Sequence, residues 1–134
     1  MKTGTSIITA ERERHITKEG FTANHDANFE NGELANAAAF YSLSPEMVSF
    51  INDHWGNDMA LHLWPFDLER LKQTPENRIK QLAKAGALIA AEIDRLYQAL
   101  KIFKIDHQGE ISFVIAESAT EALRVYRRKG KSER

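Results

Sequence analysis

The chain has 134 residues and 43% apolar content, which suits one compact globular domain or a helical core with a small appendage. Eighteen basic against nineteen acidic side chains leave a formal net charge of -1, which excludes a global field drawing the protein to nucleic acid or an anionic membrane. The absence of cysteine excludes disulfides, thiolate nucleophiles and thiolate metal sites.

The start, Met1-Lys2-Thr3-Gly4-Thr5-Ser6, leads into charge rather than an apolar leader core. No run approaches the roughly 18 apolar residues of a membrane span. The expectation is a soluble cytoplasmic protein. A first helix is predicted from about Ser6 to Lys18, with Ser6 or Thr5 as N-cap and Gly20 ending it in a left-handed conformation. Ile8 and Ile16 are expected to face inward with Glu11, Arg12 and His15 between them, so charge falls at a packed boundary and must find partners.

Phe21 to Gly32, rich in Asn, His and Asp with two Phe anchors, reads as an ordered loop. Gly32 opens a helix, Glu33 to Tyr41, whose alanines favour close contact with another small-residue face. Ser44-Pro45-Glu46 starts a short helix that ends before Gly56. Trp55 to Asp67 lacks a sustained period and reads as an irregular aromatic crossing.

Thr74-Pro75-Glu76 is then expected to cap a long helix. Along it Ile79, Leu82, Gly86, Ile89, Ile93, Leu96 and Leu100 alternate by three and four, a single seam, with Ala83, Ala87, Ala90 and Ala91 beside it for close backbone approach. A sister helix can bury such a seam as readily as the chain itself, so a homo-oligomer is expected. Lys101 to Ile105, a turn at Asp106 to Gly109 and Ile111 to Ala116 give a β-hairpin. Ser118-Ala119-Thr120-Glu121 is a capping box for a last helix through about Arg128, with Ala122, Val125 and Tyr126 available to cover the hairpin and Arg127 to Arg134 fraying. The fold class is mainly α: a helical core over residues 1–100, built around the long helix, with a C-terminal ββα appendage over 101–134 (α+β).

His25-Asp26, followed by Asn28, Glu30 and Glu33, is the densest group of potential ligand or proton-transfer side chains. An EF-hand counted from Asp26 fails, with Asn31 at the sixth position and Ala37 at the twelfth. The scattered His15, His54, His62 and His107 give no zinc spacing. A plainer role is also open: Asp26 or Asn31 caps the following helix and His25 packs on an aromatic neighbour. Glu30 and Glu33 form an E-x-x-E pair similar to the all-α nucleotide pyrophosphohydrolases, which implies magnesium held by Glu30, Glu33 and Glu92, although the E-x-x-D partner of those enzymes is missing.

Glu11, Arg12, Arg14 and His15 converge with Arg78, Lys80 and Lys84 into an anion-binding lining if the first and long helices are neighbours. Trp55, Trp64, Phe66 and Tyr41 offer ring faces for a base, or are simply core.

Glu11-Arg12-Glu13-Arg14-His15, Glu19-Gly20-Phe21-Thr22, His25-Asp26, Gly32-Glu33-Leu34-Ala35, Trp64-Pro65-Phe66 and Lys84-Ala85-Gly86-Ala87-Leu88-Ile89-Ala90-Ala91-Glu92-Ile93 occur in that order. The series, over roughly residues 8–97, resembles a family of small phage and prophage proteins with the pattern ERRRQ, EGWT, HDD, GELA, WPW and LVKAGALIxAEIERL. Phe21 and Phe66 stand where tryptophan is usual, and Ala27 or Asn28 where a second aspartate is expected. The resemblance implies a phage or prophage accessory protein acting in host cytoplasm. A fainter similarity, over fewer than about twenty residues, links the first helix and loop to the ryanodine-receptor repeat domain and implies adenine-nucleotide binding.

The function expected is non-enzymatic binding of a nucleotide-like small molecule or signal, blunting a host defence, without a cofactor. Arg12, His15, His25, Asp26, Trp64 and Lys84 are the expected ligand-binding residues, the cations holding phosphate, the ring stacking, and His25 with Asp26 fixing a polar edge. The alternatives are the magnesium-dependent pyrophosphohydrolase and an inhibitor that docks its tail or long helix on a host protein.

Overall fold

The computed structural model describes residues 1–116 and 118–132. Six α-helices and one hairpin follow in order: α1 Gly4–Thr17, α2 Ala23–Asp26, α3 Glu33–Ser42, α4 Pro45–Trp55, α5 Arg78–Gln98, β1 Lys101–His107, β2 Glu110–Ala116 and α6 Ala119–Ser132. Two 3₁₀ turns, Met59–Leu63 and Leu68–Arg70, lie between α4 and α5. This is the expected mainly α fold with a small antiparallel sheet. No helix among the described residues is long and apolar enough to cross a membrane.

The chain divides into two compact units, Met1–Arg95 and Leu96–Arg134, so the division falls in the last turns of α5 rather than after Leu100. In the first unit, Leu34, Ala37, Ala38 and Tyr41 of α3 pack on Ala85, Leu88 and Ala91 of α5, with Phe29, Trp64, Phe66 and Leu71 against them. Arg78, at the start of α5, donates to the carbonyls of Tyr41, Ser42 and Leu43 and so satisfies the last carbonyls of α3.

Several boundaries differ from the sequence reading. Thr3 rather than Ser6 or Thr5 caps α1: its hydroxyl accepts from the Ser6 N–H while Ser6 Oγ accepts from the Thr3 N–H, a reciprocal capping box. Gly20 takes the expected left-handed conformation at φ 76°. Ile16 is exposed, whereas Ile8 packs directly over Gly86 of α5. Within the Phe21–Gly32 loop the chain forms α2, because the Thr22 hydroxyl accepts from the His25 N–H. Neither Asp26 nor Asn31 caps α3; Gly32 occupies that position without a side-chain bond. Asn77 accepts from the Lys80 N–H at the start of α5, and Thr74 instead bonds the Gln81 side chain.

The second unit is a hairpin with Lys101 opposite Ala116 and His107 opposite Glu110. Val114, Ala116 and Ala122 are buried, with Ile105 and Tyr126 packed on them. Val125 is partly exposed and does not join this cluster. Ser118 caps α6, which continues through Ser132, beyond the expected end near Arg128. The expected fraying of the basic end therefore does not apply up to Ser132, and its last part, Glu133 and Arg134, lies outside the described residues.

Candidate functional site

A cavity of about 500 Å³ opens in the first unit between α1, α2, the segment from Trp64 to Lys72, and α5. Its polar wall begins on α1. Arg12 Nη2 donates to Asp26 Oδ2 at 3.3 Å and lies 3.6 Å from Asp94, while Nη1 donates to the Phe21 carbonyl at 3.4 Å. Asp26 is buried, and its second oxygen accepts from His25 Nδ1 at 3.1 Å. One guanidinium thus ties α1, α2 and α5 together.

Next to Arg12 on α1, the buried Glu11 carboxylate accepts two bonds from Arg14, Nη2 at 2.7 Å and Nε at 3.1 Å, and one from His15 Nε2 at 3.0 Å. Burial pushes the Glu11 carboxyl up, but Arg14 and His15 outweigh it and hold the group below its ordinary value. Burial holds the His15 imidazole below its ordinary value despite Glu11. At neutral pH His15 is therefore neutral, its Nε2–H donating to Glu11 and its Nδ1 left as a buried acceptor with no partner. Arg14 continues the chain to Glu19 at 2.8 Å, and Glu19 accepts from Lys72 at 3.4 Å.

The opposite wall is aromatic and continuous. Phe21 stacks on His25 at 4.9 Å, and His25 meets Phe29 edge-on at 5.1 Å. Phe29 meets Phe66 at 5.0 Å, Phe66 meets Trp64 at 5.5 Å, and Trp64 meets Tyr41 at 5.3 Å. All six rings line the cavity. Phe21 and Phe29 flank the short helix α2, which carries His25 between them.

Lys84 of α5 lines the same cavity beside Tyr41. It is only 6% exposed, stands 5.6 Å above the Tyr41 ring and donates to the carbonyl of Lys72. Among the described residues no carboxylate pairs with it. Burial first, and then the charge on Lys80, holds its ammonium below the ordinary lysine value. A buried cation held by a carbonyl and a ring face, with the Glu11 charge acting on it only from beyond salt-bridge distance, is incompletely compensated. Across the lining, five cationic side chains face three carboxylates, so the cavity favours an anion.

All six residues singled out from sequence, Arg12, His15, His25, Asp26, Trp64 and Lys84, line this one cavity, as do Arg14, Tyr41 and Phe66. Four other expected members do not. Glu11 is buried against Arg14 and His15, Arg78 is spent on the α3 carbonyls, Lys80 lies off the lining, and Trp55 is exposed elsewhere. Phe21, Phe29, Glu19, Glu69, Arg70 and Lys72 also line the cavity, with Leu34, Leu88 and Ala91. Phe21 and Phe29 are the two aromatic anchors of the loop, whereas no local pattern marks the rest.

The magnesium alternative finds a different arrangement. Glu92 is bonded to Arg95 at 2.5 Å, Glu33 accepts from the Asn31 N–H at 2.8 Å, and the charges of Glu30 and Glu33 also act on Arg95. A guanidinium stands where those carboxylates converge. Among the described residues no three His, Asp or Glu side chains are grouped to hold a metal ion. No protein-family model matches the chain, and no curated protein or solved structure matches it.

Proposed function

We propose that the first unit is a binding module for a small planar anion, a nucleotide-like molecule whose ring lies along the aromatic wall and whose phosphate or equivalent charge reaches Lys84. The carrying observation is the buried Lys84 ammonium, without a salt-bridge partner among the described residues, lining a cavity walled by six rings. Arg12, Asp26 and His25 are bonded to one another, which supports a positioning role: they fix the shape of the polar edge before the ligand arrives. His25, flat against Phe21, extends the stacking surface.

The reading requires no bond to break, and the closed Glu11, His15 and Arg14 network supports binding rather than turnover. The resemblance to small phage and prophage proteins supports a biological setting in which the module withholds a nucleotide signal from a host defence. Thermal melting against mono-, di- and cyclic nucleotides tests the proposal, together with native mass spectrometry of freshly purified protein. A melting increase of several degrees or a copurified nucleotide mass supports it. Neither, across the whole panel, removes its support.

A further inference from the structure

Lys84 is the only buried lysine among the residues whose side chains are described; Lys2, Lys18, Lys72, Lys80 and Lys104 are exposed. Among the described residues no carboxylate lies within salt-bridge distance of its Nζ, which donates to the Lys72 carbonyl. A carbonyl accepts from an amine as well as from an ammonium, so this bond holds the nitrogen in either state and leaves the lone pair of the neutral form free. Burial first, then the charge on Lys80, and after it Arg14 and Lys72 work against protonation, with Glu11 opposing them. A desolvated lysine in a ring-walled cavity, near other cations, is the arrangement that makes an amine a nucleophile towards carbonyl compounds.

We infer that Lys84 captures an anionic aromatic aldehyde in this cavity as an imine. The aromatic wall suits an aryl group conjugated to the carbonyl, and the excess of cations over carboxylates on the lining suits a phosphate or carboxylate carried by that ring. A cavity of about 500 Å³ has room for a single substituted ring. The ammonium first gives one proton to solvent. The nitrogen lone pair then adds to the aldehyde carbon while the carbonyl π pair moves to oxygen, and a proton passes from nitrogen to that oxygen. From this carbinolamine the nitrogen lone pair expels hydroxide, which leaves as water with the remaining N–H proton, and a C=N bond is formed. Amine and aldehyde become imine and water, with no oxidant or reductant. The inference rests on the cavity of the proposed binding module, but not on a nucleotide being its occupant.

Pyridoxal phosphate, a phosphorylated aromatic aldehyde, serves as the probe. The full chain is mixed with one equivalent, the imine is reduced with borohydride, and the labelled lysine is located by peptide mass mapping. The label is expected chiefly on Lys84, to be lost there in Lys84→Met, and to fall when pyridoxal, which lacks the phosphate, replaces the probe. Label confined to the exposed lysines or spread evenly over all of them overturns the inference, as does equal labelling of Lys84 by the two aldehydes. Because the mapping is made on the parent chain, it decides even where Lys84→Met fails to fold. Label on Lys84 without any nucleotide-induced melting shift upholds the imine and removes the nucleotide reading; a melting shift without the label does the reverse.

Discussion

Arg12 and Asp26 meet at 3.3 Å, and this contact fastens α1 to the segment that carries His25. Asp26 is nearly inaccessible, its two oxygens shared between the guanidinium and the imidazole. Removing the carboxylate leaves a largely buried cation with only the exposed Asp94 and the Phe21 carbonyl to answer it. Asp26→Ala is expected to destabilise the first unit by about 3 kcal/mol in urea unfolding, and Asp26→Asn by less, because the amide oxygen still accepts.

Lys84 carries the opposite expectation for stability. Its buried charge has no carboxylate partner, so replacing the ammonium by an apolar chain of similar length removes a desolvation cost. Lys84→Met is expected to leave the ligand-free protein as stable as the parent, or more stable by about 1 kcal/mol, although the Lys72 carbonyl loses its donor. A loss above about 2 kcal/mol in denaturant unfolding would assign Lys84 to structure.

The pH dependence of stability is set near neutrality by His15. Its folded value lies below the ordinary 6.5, so the unfolded chain binds the proton more readily. This contribution is fully present above pH 6.5 and declines as pH falls towards the folded value, with a slope of at most about 1.4 kcal/mol per pH unit. Glu11, also lowered, acts only in the acid range below its ordinary 4.5. Unfolding measured from pH 7.5 to 5.5 should therefore flatten in His15→Gln; an equal slope in both proteins would remove His15 as its source.

Gly86 and Ile8 test the crossing of α1 over α5. A methyl at Gly86 gains helix propensity of about 1 kcal/mol but meets the Ile8 side chain. Gly86→Ala alone is expected to be neutral or destabilising, and Gly86→Ala in an Ile8→Val background to be more favourable by about 1 kcal/mol. A double-mutant cycle with zero coupling would separate the two residues.

Much of this architecture is legible in the sequence because periodicity and caps are local. The three-four alternation gives α5, the alternating apolar runs give the hairpin, and Gly32 and Pro45 mark the starts of α3 and α4. Which face of α5 turns inward is not local. Apolar bulk favours the isoleucine seam, but Ala85, Leu88 and Ala91 are the residues that pack against α3. At the site, Arg12, His25 and Lys84 announce themselves by type and neighbourhood. Lys72 and Glu19 are joined only because the strap after the Leu68–Arg70 turn passes over α1, a distance relation that no spacing along the chain encodes.

The central claim is that the cavity holds an anion through Lys84. Titration calorimetry of the parent and Lys84→Met against the nucleotide giving the largest melting shift measures it most directly. Saturable binding by the parent is expected, with affinity weakened about 10- to 100-fold in Lys84→Met, the worth of a charged hydrogen bond. Equal affinity in the two proteins, or no heat from any nucleotide in the parent, would contradict it.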